Sequence, residues 1–125
     1  MIILLLGLAL GCATAPPDPE GLSRSLKAAA YDYWEKRLNG NIEYIYKMEL
    51  KEGLPPFAEY GDKSQAIRKF EIKSHSIKDL RVEGDKGTVA VEFSVLMPPV
   101  SKPLKQMIEE EWVLRGGKWF HKFTY

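Results

Sequence analysis

Glu110, Trp112 and His121 are the residues whose types and spacing best suit chemistry. Residues 105–115 and 118–125 read as two strands joined by Gly116-Gly117, and a two-residue Gly-Gly loop favours a type I′ hairpin. Such a loop sets the register: Leu114 faces Trp119, Val113 faces Phe120, Trp112 faces His121 and Glu111 faces Lys122. Glu110 and His121 then lie diagonally across the hairpin, about 7–8 Å apart at the backbone and within side-chain reach. A carboxylate that orients an imidazole is an acid–base pair working near neutral pH, here beside an indole. The same three residues also read as a sheet-edge ion pair with Trp112 and Trp119 as core, which requires no chemistry. His121 and Glu110 are therefore the catalytic candidates.

Other groups offer less. There is no G-x-S-x-G to expose a serine nucleophile. Gly116-Gly117-Lys118 joins two strands instead of opening a helix, so it is not a phosphate loop. His75, between Ser74 and Ser76, reads as an exposed strand residue, and Glu109-Glu110-Glu111 as a solvated strand end. Two distant histidines and one cysteine give no metal-ligand spacing. Neither a metal nor another cofactor is expected.

That cysteine, Cys12, ends the most apolar run of the chain, and the run is too short to cross a bilayer as a helix. It has the length of a signal-peptide core, with small residues before the cysteine. Ala9-Leu10-Gly11-Cys12 resembles the lipobox of bacterial lipoproteins. The resemblance implies cleavage after residue 11, acylation of Cys12 and a membrane anchor held by more than one acyl chain. No Lys or Arg follows Met1, where leaders of that family carry one. Ala13 to Glu20, with Pro16, Pro17 and Pro19, reads as an extended tether. Ala13 after the cysteine resembles an outer-membrane sorting signal. The expected address is the cell envelope, on the periplasmic face of the outer membrane. The expected organisation is a signal peptide at 1–11, lipidated cysteine and tether at 12–21, and one domain at 22–125.

Charge narrows the partners. The chain has 18 basic and 17 acidic residues in 125, a net charge of +1. Nucleic-acid binders usually carry a clear basic excess, so no nucleic acid is expected. Polybasic membrane patches are excluded on the same ground. A 45% hydrophobic, 28% charged chain is globular and large enough for one core.

The elements that must position these residues follow from periodicity. Leu22, Leu26, Ala29, Ala30 and Tyr33 recur at helical spacing, and Tyr31, Trp34 and Leu38 form a second stripe, so this helix is expected to be covered on two sides. Asn39-Gly40 ends it. Asn41 caps a second helix from Ile42 to about Glu49, with Ile42, Ile45 and Met48 inward. Pro55-Pro56 breaks the chain, and Ser64 caps a short third helix that uses Ile67 and Phe70. The period then changes from 3.6 to 2. Glu71 to Val82 is a strand, irregular near Ser74-His75-Ser76, and Glu83 to Gly87 is a turn. Val89, Val91, Phe93, Val95 and Met97 alternate with polar or small residues in the clearest strand. With the hairpin this makes an α+β domain: N-terminal helices on a curved antiparallel sheet of about four strands.

Two stretches carry a second resemblance. One is Ala28-Ala29-Ala30-Tyr31-Asp32-Tyr33-Trp34-Glu35, with Asn39-Gly40-Asn41-Ile42-Glu43-Tyr44-Ile45-Tyr46 behind it. The other is Glu111-Trp112-Val113-Leu114-Arg115-Gly116-Gly117-Lys118-Trp119. Both are similar to the nuclear transport factor 2-like superfamily of the cystatin-like α+β class. The resemblance implies a bent sheet wrapping a long helix, with a pocket between them. Its members include ketosteroid-isomerase-like and polyketide-cyclase-like enzymes, and many ligand-binding or dimerising domains without activity, so fold does not choose function. Tyr33, Trp34, Tyr46, Phe93, Trp112 and Trp119 are the pocket candidates, although aromatics at this spacing also make a core. The favoured expectation is a non-catalytic envelope lipoprotein that binds a small apolar ligand or a protein partner. The alternatives are a ketosteroid-isomerase-like or cyclase-like enzyme using His121 and Glu110, and a purely structural dimerising module. Val113, Phe120 and the Glu111–Lys122 pair on the other face suggest a homodimer through the sheet.

Overall fold

A computed structural model describes residues 18–65 and 71–124. Cys12, the tether up to Pro17, and the expected helix residues Ile67 and Phe70 lie outside the described residues.

Helix α1 runs Pro19–Leu38. It begins within the stretch expected to be extended tether. Asp18 is its N-cap, its carboxylate accepting from the Glu20 amide at 3.2 Å, and Pro19 takes the first-turn position where its missing N–H costs nothing. One broad arc of α1 is buried: Leu26, Ala30, Tyr33 and Trp34. The second stripe is only partly covered, because Tyr31 is 54% exposed. Gly40, at a positive φ of 79°, makes the turn into α2, Ile42–Met48. Asn41 caps α2, accepting from the Tyr44 amide at 3.3 Å. Helix α3, Phe57–Gln65, starts directly after Pro55-Pro56, earlier than expected. Ser64 therefore sits in its last turn and is not its cap.

The strands are β1 Glu71–Glu83, β2 Lys86–Leu96, β3 Leu104–Arg115 and β4 Lys118–His121. They form one antiparallel sheet in the order β1-β2-β3-β4. Strand β1 slips register between Ile72 and Ser74 and again between Ile77 and Asp79, on either side of the expected irregularity. Burial along β2 alternates strictly, with Val89, Val91, Phe93 and Val95 turned to α1. The hairpin keeps the expected register, Trp112 opposite His121 and Leu114 opposite Trp119, with Gly116 and Gly117 both at positive φ. Strand β4 stops at His121, short of residue 125, although the Lys122 amide still reaches the Glu111 carbonyl at 2.9 Å.

The sheet does not end at β4. Glu49, just after α2, forms a parallel bridge with His121, and the Leu50 amide donates to the His121 carbonyl at 2.7 Å. This short graft on the sheet edge brings α2 and β3 chemistry to one place.

Candidate functional site

His121 closes β4 with its ring turned toward α1, and it is 5% exposed. Glu110 stands one residue pair back on β3, opposite Val89, and is 7% exposed. The diagonal placement lets the His121 Nε2 meet Glu110 Oε2 directly. On the other side, Nδ1 lies 2.8 and 2.9 Å from the two carboxylate oxygens of Glu49, which is 1% exposed. The imidazole is thus held between two buried carboxylates.

Aromatic residues complete the packing. The Tyr33 ring stacks on the imidazole, centroids 4.3 Å apart, and Trp112 meets it edge-on at 5.2 Å. Trp34 Nε1 donates to Glu110 Oε1 at 2.6 Å, and the Tyr60 hydroxyl donates to Glu49 Oε1 at 3.3 Å. Arg37 donates to the Tyr33 hydroxyl, its guanidinium lying 5.3 Å from the Trp34 ring centroid.

These neighbours set the protonation state. Burial alone would push the His121 pKa down, but hydrogen bonds and attraction from Glu110 and Glu49 outweigh it and raise it to about 9. The ring is an imidazolium at neutral pH, each N–H donated to a carboxylate. Burial, and then the Glu49 charge, push the Tyr33 and Tyr60 hydroxyls up as well. An imidazolium has no lone pair with which to abstract a proton, and here neither N–H is free to give one. The arrangement is a closed strut joining α2, β3 and β4.

Two adjoining clefts open beside the strut. An apolar one of about 330 Å³ is walled by Trp34, Ile72, Phe93, Val95, Met97, Gln106 and Ile108. A polar one of about 620 Å³ is lined by Trp34, Arg37, Ile108, Glu110 and His121, with Glu109, Glu111 and Lys122 among its further residues. Trp34 and Ile108 belong to both, so the two share a wall.

The structure sorts the candidates accordingly. His121 and Glu110 come together, and Glu110 is buried, not part of a solvated strand end. Only Glu109 and Glu111 of that run are exposed. Trp34 and Phe93 line the apolar cleft. Tyr33 and Trp112 are fully buried in the core. Trp119 donates from Nε1 to Ser25 Oγ at 2.9 Å, and Tyr46 donates its hydroxyl to the Pro55 carbonyl at 2.9 Å. Neither Trp119 nor Tyr46 lines either cleft. His75 is a correction. Its side chain is only 7% exposed, tucked under Tyr31 with Nε2 2.6 Å from Glu35 Oε1, because that β1 position faces α1. Sequence reasoning missed Glu49, Arg37 and Tyr60. Glu49 stands between the apolar Met48 and Leu50, a faint sign of burial, but its partner is 72 residues away. Among the described residues no cluster of three His, Cys, Asp or Glu suits a metal ion.

No family model and no curated protein sequence matches the chain. Solved structures do. A SEC-C motif-containing protein from Rhodopseudomonas palustris is 13% identical, with a TM-score of 0.66, over 81% of this chain and 77% of that one. A protein described as an NTF2-like transpeptidase from Campylobacter jejuni is 12% identical, TM-score 0.57, over 79% of this chain and 98% of that one. A de novo designed NTF2 fold protein is 15% identical, TM-score 0.54, over 78% of this chain and 80% of that one. Three helices on a four-stranded antiparallel sheet, matched by natural and designed proteins of this kind, make the domain a nuclear transport factor 2-like α+β fold.

Proposed function

We propose that this chain is an envelope lipoprotein, anchored through Cys12 on the periplasmic face of the outer membrane, whose α+β domain holds a small apolar ligand without transforming it. The apolar cleft carries the reading. Six of its seven lining residues are Trp, Ile, Phe, Val or Met, and the Trp34 indole N–H is already committed to Glu110. Concave apolar surface of this size, beside a few fixed polar groups, is where small ligands bind. The saturated imidazole argues against acid–base work. The outer sheet face carries the cross-strand pairs Lys78–Glu92 and Arg81–Glu109, so a partner docking through the sheet would have to cover charged pairs.

The test compares the full chain with Met97→Glu, which puts a charge on the cleft wall. Organic extraction and mass spectrometry should find an apolar compound at near-stoichiometric amount with the native chain and little with the variant. Equal recovery from both would remove the cleft as the binding site.

The enzymatic reading keeps one observation in its favour, since Glu110 and His121 line the polar cleft. It requires His121 to lose a carboxylate partner when substrate enters. If Glu49→Gln left turnover of a candidate substrate unchanged while His121→Gln abolished it, that reading would replace ours.

A further inference from the structure

The polar cleft contains an unmatched cation. Arg37 is 8% exposed, yet among the described residues it makes no ion pair, and its hydrogen-bond partner is the neutral Tyr33 hydroxyl. Its Nε is buried without a partner. A guanidinium has five N–H donors, and burying them unpaired is costly. The surrounding carboxylates have no comparable vacancy. Both oxygens of Glu49 are within hydrogen-bond distance of His121, while those of Glu110 are taken by His121 and Trp34. At the rim, Glu109 and Glu111 are exposed and paired with Arg81 and Lys122. The spare hydrogen-bonding capacity on this wall is therefore donor capacity, and it is cationic. Arg37 lies against Trp34, the residue shared with the apolar cleft.

We infer that the two clefts form one site for a single-chain amphiphile with a carboxylate head: the head on Arg37, the chain along Trp34, Phe93 and Val95. This rests on the apolar-ligand reading and specifies the class of ligand. A planar carboxylate matches the guanidinium fork and needs only acceptors, which suits a cation whose neighbours are all committed.

The experiment photolabels the full chain in lipid nanodiscs with a diazirine-bearing analogue of dodecanoate and maps the label by peptide mass spectrometry. Competitors are dodecanoate and its methyl ester, which keeps the chain and loses the charge, both expressed as mole fraction of disc lipid. Label should fall on the 93–97 segment, and dodecanoate should compete at least about ten-fold better than the ester, the worth of one charge-assisted contact. Arg37→Gln should bring the competitors to within about two-fold of each other. Arg37→Lys should keep part of the preference, because it restores the charge without the fork. Should Arg37→Gln fail to fold, the ratios for the native chain and Arg37→Lys still decide. Equal competition by acid and ester with label still on 93–97 overturns the carboxylate head and leaves the apolar reading intact. Label absent from the cleft overturns both.

Discussion

At the residue scale the strut around His121 makes stability depend on pH. Its folded pKa, about 9, lies above the ordinary value of 6.5. A raised folded pKa means that the folded chain holds the proton more tightly than the unfolded one. The contribution is complete below about 6.5 and is lost as pH rises through about 9, on the order of 3 kcal/mol in all. Tyr33 and Tyr60 do not contribute in that window, since both are pushed above an ordinary value of 10. Urea unfolding should thus give a free energy that falls between pH 6.5 and 9, with the slope absent in His121→Gln. A level profile in the native chain would show that the imidazolium is not held by its carboxylates. The two flanking carboxylates also differ from their exposed neighbour. Glu49→Ala leaves a buried imidazolium with one partner and should cost about 3–5 kcal/mol. Glu111→Ala breaks an exposed pair with Lys122 and should cost under about 1 kcal/mol in the same urea assay.

At the element scale the site depends on how closely α1 approaches the sheet. At Gly87, opposite Trp112 on β2, a side chain of α1 packs directly on the backbone of the sheet. A Cβ there would fall well inside the van der Waals surface of Leu26 Cδ2 and 3.2 Å from Trp119 Cζ3. Gly87→Ala should therefore destabilise by about 1–3 kcal/mol. Combined with Leu26→Ala it should cost less than the two single changes together, because the truncation vacates the space the new methyl needs. Additive losses in thermal unfolding would place the strain elsewhere. Much of this geometry was legible beforehand. Gly116-Gly117 fixed the hairpin register, and that register put Glu110 within reach of His121. The strict alternation of β2 named its buried face. What was not legible came from long-range placement. Helical spacing marked Trp34 and Tyr31 alike as a stripe, but only packing separates the buried one from the exposed one. The Glu49 bridge to His121 carries no local signal, since nothing periodic links residues so far apart. Glu110 read as one of three solvated acids because its burial is decided by the helix above it.

At the scale of the whole molecule, the start of α1 sets how far the domain stands from its proposed anchor. Six residue steps separate Cys12 from the Asp18 cap, a reach of at most about 20 Å even fully extended. Trp34 lies fifteen residues into the helix, about 22 Å along its axis from Pro19. A domain so tethered keeps its cleft within roughly 40 Å of the bilayer, where a single-chain amphiphile would be concentrated. That proximity depends entirely on Cys12, for which nothing else in the chain offers a role: there is no second cysteine to pair with it. Acylation adds about 0.8 kcal/mol of membrane affinity per buried CH₂, so losing it removes the acyl chains' share of the attachment. Cys12→Ala should remove the acyl mass from the protein and abolish its processing before residue 12, and the amphiphile photolabel acquired in intact cells should fall with it. If Cys12→Ala stayed in the membrane fraction with the same processing and no change of mass beyond the substitution, the anchor would have to be sought elsewhere. The cleft would then be a site for a ligand met in solution.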